Sequence, residues 1–213
     1  MSSISSLSRR PGRPRTNDVD SRQRLLAAAL SAFSELGFEG ASLRTIAVNA
    51  GFDAAMIFHR FGSKEKLWQA VVEAKACDFQ VSLANELQPL LQGNGSLAER
   101  VTQVLDLFVD RLLAGPEISM LILREMPYPS SRRDFLVEKL IRPSCEHLVP
   151  FWHQAMEAGL LRRSDPVVFQ IGIFGALSMI LASRPILSSL GAPEMDLADL
   201  KTNIHCGLLG TIA

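Results

Sequence analysis

Aromatic residues are scarce in this 213-residue chain, 7% of the total with one tyrosine and two tryptophans, and cysteine is scarcer still. The three cysteines, Cys77, Cys145 and Cys206, are far apart and odd in number, and no pair has the C-x-x-C spacing of a zinc or redox site. A disulfide framework is therefore not expected; free, mostly buried thiols in a reducing compartment are. A net charge is lacking too, since 22 lysines and arginines balance 22 aspartates and glutamates. No H-E-x-x-H, G-x-S-x-G or Gly-rich phosphate loop occurs, which leaves a metalloprotease, a serine hydrolase or a P-loop enzyme without its chemistry. His147 and His153 lie six apart, off a common helix face, so neither a metal nor a cofactor is expected.

Long hydrophobic runs are also missing. The most apolar stretch, Val167–Ala182, contains Gln170 and Ser178, lies between Arg163 and Arg184, and at 16 residues falls short of the ~20 that a bilayer core requires. The first 15 residues are Ser-rich, then Arg- and Pro-rich, without the apolar segment of a secretory signal. A cytoplasmic protein that does not enter membranes is expected.

What is present is enough apolar material, 47% of the residues, to build a sizeable core. The charge neutrality is a cancellation. Up to Lys64 there are nine basic residues against five acidic, and beyond it 13 against 17, so a front end of +4 precedes a back end of −4. A nucleic-acid partner, which a neutral chain taken whole does not suggest, fits the front end.

After residue 20 the apolar positions recur with helical period and no alternating strand pattern appears, so an all-α fold is predicted. The first helix reads as Ser21–Leu36, with Leu25, Leu26, Ala29, Leu30 and Phe33 on one stripe and Gly37 closing it. Ser42 starts a short helix that buries Ile46, Ala47 and Ala50 and stops at Gly51; Asp53 caps a third over Ala54–Phe61, ended by Gly62. Ser63 opens a long helix reaching about Pro89, and Gly93-Asn94-Gly95 is a loop. Further helical segments are expected at Leu97–Ala114, Pro116–Met126, Ser131–Gly159, Asp165–Ala182 and Pro193–Gly210. Pro143 and Pro150 make the third of these either two helices or one kinked helix.

Two short helices joined by a Gly-containing turn, after a longer amphipathic one, form the pattern of a helix-turn-helix. With Ile57 and Phe61 turned inward, Ala55 and His59 point outward, flanked by Ala54 and Phe58. The residues also resemble the TetR-type bacterial transcriptional regulators over about Arg22–Val71. The matching positions are Leu25-x-x-Ala28-Ala29-x-x-x-Phe33-x-x-x-Gly37-Phe38, Ser42-Leu43-Arg44-x-Ile46-Ala47, Ala50-Gly51-Phe52, and Ile57-Phe58-x-x-Phe61-x-Ser63-Lys64-x-x-Leu67. The resemblance implies about nine helices, with an N-terminal three-helix DNA-binding head and a helical ligand-binding and dimerisation body. In this chain that means a flexible basic arm at 1–19, the head at 20–66 and the body at 67–213.

The same resemblance places Ala54, Ala55, Phe58 and His59 at a DNA major groove and Ser42, Arg44 and Lys64 against phosphates or nearby bases. Phe58 stands where the family usually has tyrosine, so it brings an apolar contact without a hydroxyl donor. Two alanines and a phenylalanine offer few base-reading donors, so direct readout falls to His59, with Arg44 and Arg60 assisting. The arm Arg9-Arg10-Pro11-Gly12-Arg13-Pro14-Arg15 contains Gly12-Arg13-Pro14, which resembles an AT-hook core, so Arg13 and Arg15 are candidates for a narrow minor groove.

In the body, Arg124, Tyr128, His147 and Trp152 are the candidate effector-pocket residues, near the proline kink and the Pro127–Pro129 loop. Gly172, Gly175, Ala176 and Met179, on an apolar helix rich in small residues, are the candidate dimer interface. The function implied is a homodimeric repressor that binds double-stranded DNA at a palindromic operator in the bacterial nucleoid and is released by a small-molecule effector. An activator without inducer, or an all-helical carrier or enzyme with an accidental helix-turn-helix, stays open at this point.

Overall fold

The computed structural model describes residues 16–209, of which the side chains of residues 19–207 are described; Arg13 and Arg15 of the arm lie outside them. Among the described residues there are nine helices and no strand. The first, α1 (Thr16–Gly40), begins earlier than the sequence suggested and breaks at Gly37, where φ of 73° and ψ of 173° are open to glycine. α2 (Leu43–Ala50) and α3 (Ala54–Phe61) follow at the expected bounds. α4 runs over Lys64–Ser82, passes through a π-helical turn at Leu83–Leu87 and continues over Gln88–Gln92, a few residues past the expected end.

The body holds α5 (Leu97–Ala114) and α6 (Pro116–Glu125), and then α7, which runs from Ser131–Leu136 through a second π turn, Val137–Ile141, into Arg142–Glu157. Each π turn stands immediately before a helical segment with proline in its first turn, Pro89 or Pro143. Proline has no N–H and its ring clashes with the carbonyl four residues back. The i→i−5 bonds from Gln88 N–H to Leu83 and from Arg142 N–H to Val137 widen the helix there, so it continues instead of breaking. Pro150 is likewise carried inside α7, with Glu146 and Pro150 both on the exposed face, where the freed carbonyl meets solvent. The stretch is thus one continuous helix with a local widening.

α8 (Pro166–Ser183) starts on Asp165, whose carboxylate accepts from the N–H groups of Val167 and Val168 at 2.9 and 3.0 Å. Two short 3₁₀ turns, Arg184–Ile186 and Ser188–Leu190, lead to α9 (Leu197–Leu209), which begins four residues later than Pro193 because Asp196, accepting from Asp199 N–H at 2.8 Å, supplies the cap. With its 3₁₀ extension, Pro166–Ile186 is 21 residues long with mean hydropathy 1.8, long and apolar enough to cross a membrane by length and composition alone, against the 16 counted from sequence. One face of it is instead occupied by the protein: Gln170, Ile173, Leu177 and Ser178 are buried.

Two apolar cores result. One gathers Leu25, Phe33, Ile46, Ile57 and Trp68 from α1 to α4, but it does not close at residue 66: Leu121 and Ile122 of α6 and Leu136 of α7 belong to it. The other packs Val104, Leu105, Trp152, Ile173 and Ile204 from α5, α7, α8 and α9. Each fully buried side chain of this size contributes about 1.5–3 kcal/mol. The thiols differ from expectation: Cys77 and Cys206 are exposed and Cys145 half-buried, because α4 and α9 turn those positions away from both cores.

Candidate nucleic-acid interface

The helix-turn-helix is held by α1. Ile46, Ala47 and Ala50 of α2 and Ile57 of α3 face the head core as their spacing dictates. At the turn, Gly51 adopts φ of 77°, a conformation that calls for glycine, and a Cβ there would lie 2.7 Å from the end of the Arg24 side chain. The Arg24 guanidinium donates to Ala50 O at 2.8 Å, satisfying a carbonyl at the end of α2, and sits 5.0 Å from the Phe52 ring centroid. Sequence reading gave Arg24 no role. An arginine within α1 carries no local signal of a partner 26 residues away.

Asp53 caps α3 by accepting from Ala55 N–H at 2.9 Å. Ser42 occupies the extended N-cap position of α2 but its side chain makes no capping bond, so the exposed hydroxyl is not committed to the helix end. Ala55, Phe58 and His59 are exposed on α3, Phe58 to 57%, and Ser42 and Arg44 are exposed on α2. Ala54 is half-buried against the head core. Thr45, Val48 and Asn49 share the outer face of α2; the period that buried Ile46 and Ala50 also exposes them, though the sequence reading did not single them out. Arg60 is half-buried and engaged within the protein. Lys64 is half-buried as well: its Nζ donates to Glu39 O at 3.2 Å and lies 4.7 Å from the Phe38 ring centroid.

The four candidate effector residues do not converge. Arg124 donates through Nη2 to Glu35 O in α1 at 2.8 Å, and Tyr128 is 74% exposed in the loop after α6. Trp152 is fully buried in the body core among Phe108, Phe151 and Phe169, and its Nε1–H donates to Gln170 Oε1. His147 is half-buried on α7. A cavity of about 420 Å³ lies elsewhere, lined by Arg184, Leu187 and Met195 among others between α8 and α9. The interface candidates share one side of α8: Gly172 and Met179 are exposed, Gly175 and Ala176 half-buried, and a Cβ on either glycine would meet nothing within 4 Å. Val168 and Ile171 extend this apolar face, at 67% and 51% exposure.

Residues 25–71 match the family model for bacterial regulatory proteins of the tetR family. The HTH-type transcriptional repressor AcnR of Corynebacterium efficiens is 37% identical over 76 residues, 35% of this chain and 40% of that protein. The HTH-type transcriptional repressor NicS of Pseudomonas putida is 34% identical over 88 residues, 41% of this chain and 42% of that protein. The chain thus spans about two fifths of the length of these curated relatives. In three dimensions the likeness extends through the body. A mutant form of HlyIIR superposes with a TM-score of 0.71 at 25% identity, covering 91% of this chain and 99% of that one. FadR from Bacillus subtilis, solved in complex with stearoyl-CoA, has a TM-score of 0.65 at 16% identity, over 88% and 98% of the two chains. The helix-turn-helix head is thus similar in sequence to that of the tetR family of bacterial regulatory proteins, and the nine-helix architecture is similar to that of HlyIIR.

Proposed function

We propose that this chain is a sequence-specific DNA-binding transcriptional repressor and not an enzyme, acting as a homodimer on a palindromic operator and released by a small-molecule effector held in the body. The observation that carries this reading is the outer face of the helix-turn-helix. Ala55, Phe58 and His59 project from α3 beside the exposed Ser42 and Arg44, at the basic end of the chain. Ala55 suits a thymine methyl group, Phe58 makes an apolar contact beside the DNA backbone, His59 and Arg44 supply hydrogen-bond donors, and the Ser42 hydroxyl suits a phosphate. Arg60 and Lys64 add positive charge from within the scaffold, Ala54 lets the backbone approach, and Arg13 and Arg15 reach for an A·T-rich minor groove from the arm. The acidic body discourages wrapping and limits contact to the head.

The dimer is proposed to form on the apolar face of α8 through Gly172, Gly175, Ala176 and Met179, with α9 alongside. Small residues allow close helix approach, and an exposed face of this composition calls for a partner. The effector is proposed to enter the body beside Trp152 and His147 and to favour a state whose two heads are wrongly spaced for the operator; Arg124, which donates to Glu35 O of α1, ties the body to the head, and Tyr128 lies exposed in the loop after α6. Such a regulator works in the cytoplasm, at the nucleoid when bound.

Selection of bound DNA from a random pool by the purified full chain tests the reading. A palindrome with half-sites about one helical turn apart, bound less tightly as salt rises, is expected. Recovery of no enriched sequence, or affinity indifferent to salt, would overturn it.

A further inference from the structure

The end of α1 is gripped by cations, two of them supplied by the body. Gly37 departs from helical φ and ψ near the end of α1, and side chains from other helices hold carbonyls on either side of it. Arg124 of α6 donates to Glu35 O at 2.8 Å and Lys64 of α4 donates to Glu39 O at 3.2 Å. Between them Phe38 stacks on Phe33 at 5.8 Å, with Lys64 Nζ 4.7 Å and the Arg132 guanidinium carbon 4.0 Å from its ring centroid. Arg132, on the first turns of α7, also pairs with Glu125 of α6 at 3.1 Å, Glu39 of α1 at 3.8 Å and Glu65 of α4 at 4.0 Å. Its side chain is 21% exposed and that of Glu125 9%. One guanidinium therefore ties its own helix, α7, to three others: α6 of the body, and α1 and α4, which carry the two ends of the head.

We propose that Arg132, backed by Arg124, is a positioning residue through which the body fixes the orientation of the DNA-binding head by clasping Phe38; this rests on the reading of the chain as a dimeric operator-binding regulator. The Glu125 carboxylate is nearly buried and needs its cation. Cation–π contact with Phe38 is strongest where water is scarce, and Phe38 follows directly on the break that would otherwise let the end of α1 swing. Two recognition helices fit a palindrome only at one separation, about 34 Å or a multiple of it. Orientation of each head relative to the body sets that separation. Lys64 belongs both to the clasp and to the side of the head that faces phosphates, so release of Phe38 alters the interface without any change in the residues that read bases.

The test uses the full chain with Arg132→Gln, Arg132→Lys and Phe38→Leu. In the free protein, hydrogen exchange over residues 36–41 and 63–67 is expected to quicken on the order of tenfold in Arg132→Gln and Phe38→Leu, and less in Arg132→Lys, which keeps a cation over the ring. Unchanged exchange in both segments overturns the clasp. On the selected operator, the wild type should prefer the intact site over one with a base pair inserted at its centre by on the order of tenfold. In Arg132→Gln that preference should shrink to about threefold, with partial return in Arg132→Lys. The slope of affinity against salt should not change, since Arg132 touches no phosphate. An unaltered spacing preference, or a slope reduced by about one, overturns the positioning role. Should the wild type select no palindrome, the functional reading fails, and the exchange measurement still decides whether the clasp exists.

Discussion

The Arg24 guanidinium donates to the carbonyl oxygen of Ala50 at 2.8 Å and covers Phe52 on the far side of the helix-turn-helix turn. The bond joins α1 to the end of α2 beside the turn, and so helps set the angle between α2 and α3. Arg24→Ala is expected to cost about 1–2 kcal/mol of stability, from a lost hydrogen bond and a lost cation–π contact. Thermal melting measures this. Operator affinity at a temperature where the variant is fully folded should also fall severalfold; an unchanged affinity would show that the turn holds its geometry without Arg24.

Phe58 is exposed at the centre of the outer face of α3 and carries no hydroxyl. Phe58→Tyr restores a donor at a point expected to lie against the DNA backbone. A hydrogen bond to a charged acceptor contributes about 1.5–3 kcal/mol, so operator affinity should rise by about tenfold or more. Fluorescence anisotropy on labelled operator reads the change, and equal affinities would place Phe58 away from phosphate.

Met179, 62% exposed, lies on the apolar face of α8 with Gly172 and Gly175. Met179→Glu places a carboxylate where two copies are proposed to meet, and the same substitution recurs across a two-fold axis. Like charges in a desolvated contact cost several kcal/mol. Sedimentation should show a monomer, operator binding should weaken, and the helix content of the chain should stay as it is because the position touches neither core. A dimer that persists would move the interface elsewhere.

The Cys145 thiol is pushed above its ordinary range, mainly by burial and further by the neighbouring Glu146 carboxylate. Both disfavour the thiolate, the form that reacts. At pH 8 maleimide or iodoacetamide should modify the exposed Cys77 faster than Cys145, and Cys145 labelling should quicken as the pH is raised further. Mass mapping of the modified peptides separates the two. Cys145 reacting first would mean that α7 opens in solution.

Helix bounds and inward faces were legible wherever a short-range rule governs them. Asp53 and Ser63 read as N-caps, and each accepts from a backbone N–H of the helix it opens. Gly37, Gly51 and Gly62 read as stops and all three have positive φ. Ile46, Ala47, Ala50 and Ile57 read as core and are buried. The prolines of α7 were harder, because whether proline breaks a helix or widens it into a π turn depends on whether neighbouring helices hold both halves in line.

The all-α class, the helix-turn-helix and the split between a basic front and an acidic back were determined by the sequence itself, since each rests on period, capping or charge within a few tens of residues. What the side chains do across helices was decided only by the tertiary structure. Arg124 stood among the candidates for a ligand and is found donating to the backbone of Glu35, 89 positions earlier. Lys64 stood among the DNA contacts and is also bound to Glu39 and Phe38. A helical pattern tells which face a residue occupies, but an arginine or lysine has a long flexible stem, and the partner its charge finds depends on which helix end, ring or carboxylate packing brings within reach.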